Sequence, residues 1–378
     1  MTYTLMIFDT PLIKFSVEGR AEVEIDILKV YDENKELLPL DLPEVSARSI
    51  ESWIVHRSIP KNRAYVDNLL ASMGLSVNRP FDLIQISKGL GLNDSYWLKQ
   101  ENSQDYFEKV NLYDNRFSRI LGQIAFTGYG SSVVTGLSSS PEFTTNGMLP
   151  KCWRKINGKI VLYKGGTSGA SNTGNEPYSE FYAYQIAKIL GINAVAYSIS
   201  KWKERLCSTC ELFTSKDIAF VPVGRIVRTG GMQAVRKYYR ELGPNFEKAL
   251  NDMIIFDALI FNTDRHYGNF GFLVDSHTNK IVAPAPLFDH GNSLLNFAGP
   301  DLWKDKNAIL DYAKVQLPRV YDDYVEEAKK GLTHEWRNSI RKLLDFRMPR
   351  HSRYNLSREQ LKLLEFVIAQ RAAELLKN

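Results

Sequence analysis

Three polar side chains that could carry phosphoryl-transfer chemistry lie between apolar runs in the second half of the chain. Asp264 and Asn269 lie five residues apart in FNTDRHYGNFGF (261–272), and Asp289 follows twenty residues later in APLFDHGNS. Phosphoryl transfer needs a carboxylate that orients or deprotonates the attacking hydroxyl, and oxygen ligands that hold Mg²⁺ against the phosphates. The protein-kinase signature H-R-D-x-x-x-x-N has the same five-residue spacing. The pattern therefore indicates a catalytic loop followed by a metal-binding loop.

A cation for the nucleotide phosphates has to come from another part of the chain, and Lys164 is the candidate. Side chains alternate along a strand, so in KIVLYK this lysine shares a face with Ile160 and Leu162. Such an apolar face could contact a purine. Glu180, sixteen residues further on in the first turns of a predicted helix, is the candidate partner that fixes the lysine rotamer. Glu176, which has the position of a helix-capping residue, is the competing choice.

Each of these residues also has an ordinary structural interpretation. Asp and Asn in polar turns commonly cap helix ends, and an acid in the first turn of a helix complements the helix dipole. The combination of three such residues at kinase spacing favours the catalytic interpretation. His266 is predicted to be structural, a neutral histidine bonded to the backbone of the metal-binding loop. Arg265 either pairs with an acid of these loops or faces solvent.

The loop sequences resemble those of a known family. NTDRHYGN followed by LFDHG resembles the catalytic and metal-binding loops of the HipA-like serine/threonine kinases, a bacterial protein-kinase-like family, and phosphoinositide kinases share D-R-H-x-x-N more distantly. The resemblance covers roughly residues 140–300. It implies an ATP- and Mg²⁺-dependent kinase in which Asp264 is the catalytic base and Asn269 and Asp289 are the metal ligands. It also implies that Lys164 binds the phosphates.

The same resemblance implies further nucleotide contacts. TNGMLPK (145–151), which contains Gly147, resembles the place of the phosphate-covering loop. CELFTS (210–215), with Glu211 and Phe213, stands where the family has its interlobe hinge. In this family the loop near the phosphates can carry an inhibitory autophosphorylation. The hydroxyl groups that could accept it are those of Ser138, Ser139, Ser140, Thr144 and Thr145.

A β-rich stretch followed by a helical stretch predicts an α+β, bilobal protein-kinase-like fold with a cleft between the lobes. KCWRKINGKIVLYKGG predicts a hairpin through Asn157-Gly158, and NEPYSEFYAYQIAKILG predicts a helix that ends at Gly191. From Phe246 onward the pattern is mostly helical. The predicted domains are an N-terminal α+β unit of open role (1–125), a β-rich kinase N-lobe (126–215) and a helical C-lobe (216–378).

The predicted N-terminal unit contains two strands, in LMIF and AEVEIDILKVYDENKELL, the second turning at Asp32-Glu33-Asn34. Two short helices are predicted in SARSIESWIVHR and AYVDNLLASMG. GYGSSVVTGLSSSPEFTTNG (128–147) has the Gly, Ser and Thr content of a linker or a mobile loop. GGTSGASNTG after Lys164 lacks the ending of a P-loop and is predicted to be a flexible connection.

Composition is that of an ordinary soluble globular protein, with 44% apolar and 24% charged residues in 378. The net charge of +5 is too small to indicate nucleic-acid or membrane binding. Three cysteines cannot build a disulfide framework, and CSTC (207–210) without further ligands is more typical of buried strand cysteines than of a zinc site. With no signal-peptide or membrane-spanning pattern, the sequence predicts a cytoplasmic protein.

Two other functions fit the same residues. One is a nucleotide-binding pseudokinase that acts as a regulatory or interaction module. The other is a kinase of a lipid or small molecule, or an enzyme that transfers the nucleotide. The expected partners are a protein substrate and, from the family resemblance, an antitoxin-like or regulatory protein.

Overall fold

The structure, a computed structural model, describes residues 1–19, 23–42, 44–75, 80–130, 139–168 and 173–377. The chain forms two compact units, each assembled from three separate parts of the chain. Unit 1 comprises Met1–Lys164, Leu212–Val221 and Phe272–Ala283, and unit 2 comprises Gly165–Glu211, Pro222–Gly271 and Pro284–Asn378. The boundaries of the three domains predicted from chain position stay predictions.

Strands dominate the first part of the chain and helices the last. Within the described residues the strands are β1 (Thr2–Ile7), β2 (Thr10–Glu18), β3 (Glu24–Val30), β4 (Tyr96–Gln100), β5 (Lys151–Ile156), β6 (Lys159–Gly165), β7 (Tyr197–Trp202), β8 (Arg205–Glu211), β9 (Ile218–Pro222), β10 (Gly271–Asp275) and β11 (Ile281–Pro284). The α-helices are α1 (Ala47–Val55), α2 (Val66–Ala71), α3 (Pro80–Ser87), α4 (Phe107–Val110), α5 (Arg119–Thr127), α6 (Glu176–Leu190), α7 (Val223–Ile226), α8 (Gly231–Leu242), α9 (Pro244–Ile260), α10 (Lys306–Lys314), α11 (Tyr324–Lys329), α12 (His334–Arg341) and α13 (Arg358–Leu376).

An antiparallel sheet in the order β3-β2-β1-β4 begins unit 1. Its buried apolar side chains form one cluster with Ile50, Trp53 and Ile54 of α1. The sequence pattern predicts β1, β3, α1 and α2, and the structure confirms these elements. It does not predict β2, and a 3₁₀ helix at Asp32–Leu37 stands in place of the predicted turn.

The β5–β6 hairpin of unit 1 is also confirmed. Asn157 and Gly158 connect the strands, and both have positive φ (50° and 79°). Two-residue turns with positive φ at both positions match the right-handed twist of the strands, which is why Asn-Gly favours them. The hairpin brings Lys151 directly opposite Lys164 in the antiparallel register.

Residues 139–151, the covering segment, contain the predicted phosphate-covering loop. Residues 131–138, which precede this segment, lie outside the described residues, and the candidate site Ser138 is one of them. Ser140 is buried. The hydroxyl groups of the other three candidate autophosphorylation sites donate to backbone carbonyl oxygens: Ser139 to Ser87 (3.0 Å), Thr144 to Leu90 (2.8 Å) and Thr145 to Pro141 (2.6 Å).

Arg63 fixes the covering segment. Its Nη1 donates to the carbonyl oxygens of Glu142 and Thr145 (2.7 and 3.3 Å), and its Nη2 donates to Glu142 Oε2 and to the Lys151 carbonyl (3.0 and 2.7 Å). The second carboxylate oxygen of Glu142 accepts the N–H of Trp153 (2.9 Å). Burial raises the pKa of Glu142, and the charge and hydrogen bonds of Arg63 oppose that rise. The ion pair is therefore what makes a buried carboxylate tolerable at this position.

Replacing Glu142 with Gln is expected to lower the free energy of unfolding by about 1–3 kcal/mol, because the buried guanidinium then lacks its counter-charge. Urea unfolding followed by tryptophan fluorescence measures the change. The exposed Glu51→Gln on α1 is the matched control. Equal stability of both variants would show that the pair does not hold this segment.

Unit 2 contains α6, the β7–β8 hairpin and the helices α7 to α13. Gly191 ends α6 in the left-handed conformation (φ 72°), as the sequence predicts. Helix α9 packs against α8, α11 and α13, which places its C-terminal end among buried side chains. Cys207 and Cys210 are buried on β8, as expected for strand cysteines. None of the described helices is both long and apolar enough to cross a membrane.

The chain beyond Phe246 is less helical than predicted. After α9 it forms β10 and β11, which with β9 build a three-stranded sheet in the order β11-β10-β9. The apolar run FGFLV directly after the polar loop forms β10. Residues 169–172 of the Gly-rich connection after Lys164 lie outside the described residues.

Candidate active site

The polar loop after α9 is organised by a buried acid within the helix. Phe261 ends α9 with a left-handed backbone (φ 54°), which turns the chain away from the helix axis. Asp257, one helical turn earlier, is completely buried. Its Oδ1 accepts from Asn262 Nδ2 (2.9 Å) and Arg265 Nη2 (3.0 Å), and its Oδ2 accepts from Arg265 Nε (2.8 Å). The loop therefore closes on a bidentate ion pair.

Arg265 also connects this loop to the predicted metal-binding loop. Its Nη1 donates to the carbonyl oxygens of Asn269 (3.0 Å) and Phe288 (2.7 Å), and its Nη2 lies 3.1 Å from Nδ1 of His290. Together with the bonds to Asp257, these contacts use all five N–H groups of the guanidinium. Burial lowers the pKa of Arg265, but the charge and hydrogen bonds of Asp257 outweigh it, so the pKa lies above its ordinary value. Arg265 therefore does not face solvent, and the acid that pairs with it lies in α9 instead of in the two predicted loops.

Side chains of α6 and β7, which also belong to unit 2, hold the predicted metal-binding loop. Asp289 has a left-handed backbone (φ 59°), a conformation that Asp tolerates better than most side chains. Its N–H donates to the hydroxyl oxygen of Tyr197 (3.2 Å), whose pKa is raised mainly by burial, so that the phenol stays protonated. The N–H of His290 donates to Oε2 of Glu180 (2.7 Å). Glu180 thus positions the Asp289 loop, and its predicted pairing with Lys164 stays a prediction.

Glu176, the competing choice, has a different environment. It is the first residue of α6 and is buried, and its Oε2 accepts the N–H of Thr167 (3.1 Å). This contact closes the connection before the helix. Asn175 stands at the N-cap of α6 and no side-chain cap bond forms there, so the capping role considered for Glu176 is wrong.

Both carboxylate oxygens of Asp264 have partners in unit 2. Oδ2 accepts from Asn292 Nδ2 (3.1 Å), and Oδ1 forms an ion pair with Nη1 of Arg319. The backbone N–H of Asp264 donates to Oδ1 of Asn262 (3.1 Å). Asn292 is itself fixed, because its carbonyl oxygen accepts from the N–H and the hydroxyl of Thr263 (3.0 and 3.2 Å). The side chain of Asp264 is 30% exposed, so an incoming molecule can reach it.

His266 is structural, as predicted, but its partner differs from the prediction. Its Nδ1 accepts the N–H of Gly268 (3.0 Å) within the catalytic loop, and no contact of this ring to the metal-binding backbone is seen among the described residues. A Cβ on Gly268 would lie 2.8 Å from the ring, so glycine permits this close turn. Burial lowers the pKa of His266, and the charges of Asp264 and Asp289 oppose that change. The neutral imidazole is therefore favoured, and both carboxylates act electrostatically on the same ring.

The two predicted metal ligands carry the oxygen donors that a hard cation prefers. Asn269, buried at the end of the catalytic loop, offers an amide oxygen, and Asp289 offers a carboxylate. No three His, Cys, Asp or Glu side chains converge as a metal site anywhere in the described ranges. Mg²⁺ commonly binds one or two carboxylates and takes its other ligands from water and substrate phosphates, so this sparse donor set fits it.

The other predicted nucleotide-contacting residues lie at the following places. Lys164 is buried at the end of β6 in unit 1. Phe213, also in unit 1, contacts Phe220 edge-on with ring centroids 5.5 Å apart. Glu211 is the exposed last residue of β8 in unit 2. Their contacts with nucleotide stay predictions.

Gly147 lies in the covering segment with a positive φ of 93°. Lys151 Nζ donates to the carbonyl oxygen of Asn146 (2.8 Å), and a Cβ on Gly147 would collide with that ammonium group. The backbone conformation favours glycine here, because other residues rarely adopt this positive φ. Lys151 is a buried cation that sequence reasoning does not single out, although its position opposite Lys164 follows from the hairpin register.

Three residues of the unit 2 cluster are absent from the sequence prediction. Asp257 has a detectable signal, because an acid in the apolar run MIIFDALIF needs a buried partner. Asn292 directly follows the Gly of DHG, so the sequence alone shows that it lies beside the predicted metal-binding loop. Arg319 has no comparable signal, since 55 residues separate it from Asp264.

The fold is shared with a solved structure. HipA of Shewanella oneidensis MR-1, solved with HipB and operator DNA, matches 99% of this chain and 96% of its own with a TM-score of 0.58 and 14% identity. At that identity the likeness concerns the mixed α+β fold alone. The structure of the Helicobacter pylori proinflammatory kinase CtkA matches 60% of this chain and 91% of its own, with a TM-score of 0.46 and 17% identity, too low to support a conclusion.

Sequence comparison identifies a relative among curated proteins. The serine/threonine-protein kinase CtkA of Helicobacter pylori (strain J99) is 28% identical over 136 residues, which are 32% of this chain and 41% of CtkA. This chain therefore matches less than half of the length of that relative. No protein-family model matches. The predicted resemblance to HipA-like serine/threonine kinases is confirmed by this relative together with the HipA fold.

Proposed function

We propose that this protein is an ATP- and Mg²⁺-dependent kinase of the HipA-like type that phosphorylates Ser or Thr of a protein. The observation that carries the proposal is Arg265, whose one guanidinium binds the backbone of both the Asp264 loop and the Asp289 loop. A base and a metal ligand 25 positions apart in sequence are thereby fixed within one unit. The sequence similarity to a serine/threonine-protein kinase supports the same reaction.

In the proposed reaction Asp264 accepts a hydrogen bond from the acceptor hydroxyl. The acceptor oxygen forms a bond to the γ-phosphorus, the bond from that phosphorus to the β–γ bridging oxygen breaks, and ADP leaves with the electron pair. The hydroxyl proton passes to the Asp264 carboxylate. Asn269 and Asp289 would hold Mg²⁺, which supplies positive charge against the phosphate oxygens. Lys164 is the proposed ligand of the α- and β-phosphates.

Autophosphorylation in the covering segment has a structural requirement. Ser139, Thr144 and Thr145 donate their hydroxyl hydrogens to carbonyl oxygens, and Ser140 is buried. A phosphate on any of these oxygens would replace a hydrogen bond with a bulky dianion. We therefore propose that autophosphorylation at these positions accompanies release of the segment from its contacts.

A protein partner of antitoxin type is part of the proposal. HipA of Shewanella oneidensis was solved with HipB and DNA in a toxin–antitoxin system, and this chain shares its fold over nearly its whole length. Affinity purification of the tagged chain from its own cells tests for such a partner. Mass spectrometry identifies the proteins that are bound.

Incubation with Mg²⁺ and γ-labelled ATP is expected to label the protein itself and lysate proteins, whereas α-labelled ATP is expected to label neither. In Asp289→Asn the Mg²⁺ concentration for half-maximal labelling is expected to rise by more than about tenfold, because the metal loses a charged ligand. Asn is chosen because it tolerates the left-handed backbone at this position.

Asp301→Asn, an exposed acid paired only with Lys304, is the control and is expected to keep the normal Mg²⁺ dependence. Transfer of the α-label would contradict kinase activity and support nucleotide transfer. ATP binding without labelling of any protein, lipid or small molecule would support the pseudokinase function.

A further inference from the structure

The proposed base is already occupied on both oxygens by groups of its own chain. Asn292 binds Oδ2 of Asp264, and Arg319 forms an ion pair with Oδ1. An acceptor hydroxyl that donates to this carboxylate has to displace one of them. Asn292 is held by two further bonds from Thr263, whereas the side chain of Arg319 is 56% exposed. Exposed ion pairs contribute little stability, so Arg319 is the group that yields.

The segment that carries Arg319 borders a cavity beside the catalytic loop. The cavity has a volume of about 480 Å³ and is lined by Tyr267 of the catalytic loop and by residues 317–322. Leu317 of this lining and Val315 two residues before it are both mostly exposed. A peptide lying here would have its backbone and side chains beside Asp264, with apolar surface available on the same segment.

The charged side chains of the described cavity lining are Arg319 and Asp322. Gly224 donates its N–H to the Tyr267 carbonyl (2.9 Å), and a Cβ on Gly224 would lie 2.7 Å from Tyr267, so the chain beside this tyrosine is closely packed. Once Arg319 leaves Asp264, its guanidinium is the cation of this lining that an anionic side chain can bind.

We propose that this cavity is the acceptor subsite and that Arg319 exchanges the Asp264 carboxylate for an acidic side chain next to the Ser or Thr of the substrate. This inference rests on the proposed kinase function and names its substrate class, an acidic peptide segment. Without substrate, Arg319 neutralises Asp264. When substrate binds, the guanidinium keeps a carboxylate partner, and the Asp264 oxygen becomes available to the hydroxyl.

The test uses short peptides that share one serine and differ only in whether Glu, Gln or Lys flanks it. We expect the full chain to phosphorylate the Glu peptide with a kcat/KM about tenfold above that of the Lys peptide, mainly through KM. Arg319→Glu is expected to reverse this order, and Arg319→Gln to reduce the preference. Arg341→Glu, an exposed arginine of α12, is the charge-matched control and is expected to keep the wild-type order.

The outcomes separate the inference from the proposed function. Equal kcat/KM for the three peptides would overturn the acidic-substrate inference and leave the kinase function standing. A loss of rate in Arg319→Glu that is the same for all three peptides would also overturn it, because Arg319 would then act on Asp264 alone. Absence of labelling of any peptide and of the protein itself would contradict the kinase function. Melting temperatures of the variants confirm that they are folded.

Discussion

Asp264→Asn is expected to lower the rate of phosphate transfer on the order of 10²–10⁴-fold while ATP binding persists. The amide keeps the size of the side chain and can still contact Asn292, but it can neither accept the acceptor proton nor hold the charge of Arg319. ATP affinity is expected to stay near normal, because in the proposed mechanism the nucleotide phosphates bind Lys164 and the metal held by Asn269 and Asp289. Single-turnover transfer and calorimetric titration with Mg-ATP measure the two effects separately.

Stability is expected to change little in this variant. The Asp264–Arg319 pair is partly exposed, and such pairs contribute about 0–1 kcal/mol. Asp311→Asn removes an acid from a more exposed pair with Lys314 (2.7 Å) on α10 and is the control for loss of a paired acid. Wild-type transfer in Asp264→Asn would disprove the assignment of the base. A loss of ATP binding equal to the loss of transfer would assign Asp264 to the nucleotide instead.

The positions of the catalytic and metal-binding residues could be predicted because their signal is local. Asp264 and Asn269 share one loop, and Asp289 follows the next hairpin, so spacing and apolar flanks identify them. The contacts that hold these residues in place have no such local signal. Arg319 reaches Asp264 only when α10 and the chain beyond it have folded within unit 2, and no pattern within either segment encodes that contact.

The fold was predictable where the periodicity is regular. The Asn157-Gly158 hairpin and the α6 helix follow from turn and capping residues. The sequence pattern does not predict strand β2, because its pairing with β3 shifts register between Lys14 and Phe15. In addition, the buried side chains Leu12 and Ile13 are adjacent instead of alternating. A bulge of this kind breaks the two-residue period on which strand prediction depends.

The N-terminal residues, whose role the sequence leaves open, have a physical connection to the predicted nucleotide chemistry. Arg63 binds the carbonyl oxygens of Glu142, Thr145 and Lys151, and the N–H of Ala64 donates to the carbonyl of Met148 (2.8 Å). The conformation of the covering segment therefore depends on chain that precedes the predicted kinase N-lobe.

Arg265→Met is expected to reduce stability and to abolish transfer. The substitution leaves the Asp257 carboxylate buried, and the side chain that still donates to it is that of Asn262. Removal of one member of a buried ion pair costs about 3–5 kcal/mol. It also removes the donor that joins the carbonyl oxygens of Asn269 and Phe288, so Asp264 and Asp289 lose their common support. Urea unfolding and γ-phosphate transfer measure the two consequences.

The double variant Arg265→Met/Asp257→Leu separates the loss of stability from the loss of transfer. Removing both charges eliminates the unpaired carboxylate, so part of the lost free energy of unfolding is expected to return. Transfer is expected to remain abolished, because the guanidinium that binds the carbonyl oxygens of both Asn269 and Phe288 is still missing. Arg236→Met, which breaks a less buried pair with Glu327 (2.6 Å) in the same unit, is the control for loss of an arginine and is expected to retain transfer. If the double variant regained both stability and wild-type transfer, Arg265 would serve only to neutralise Asp257, and the two loops would have to be positioned by the Glu180–His290 and Asn292–Asp264 contacts alone.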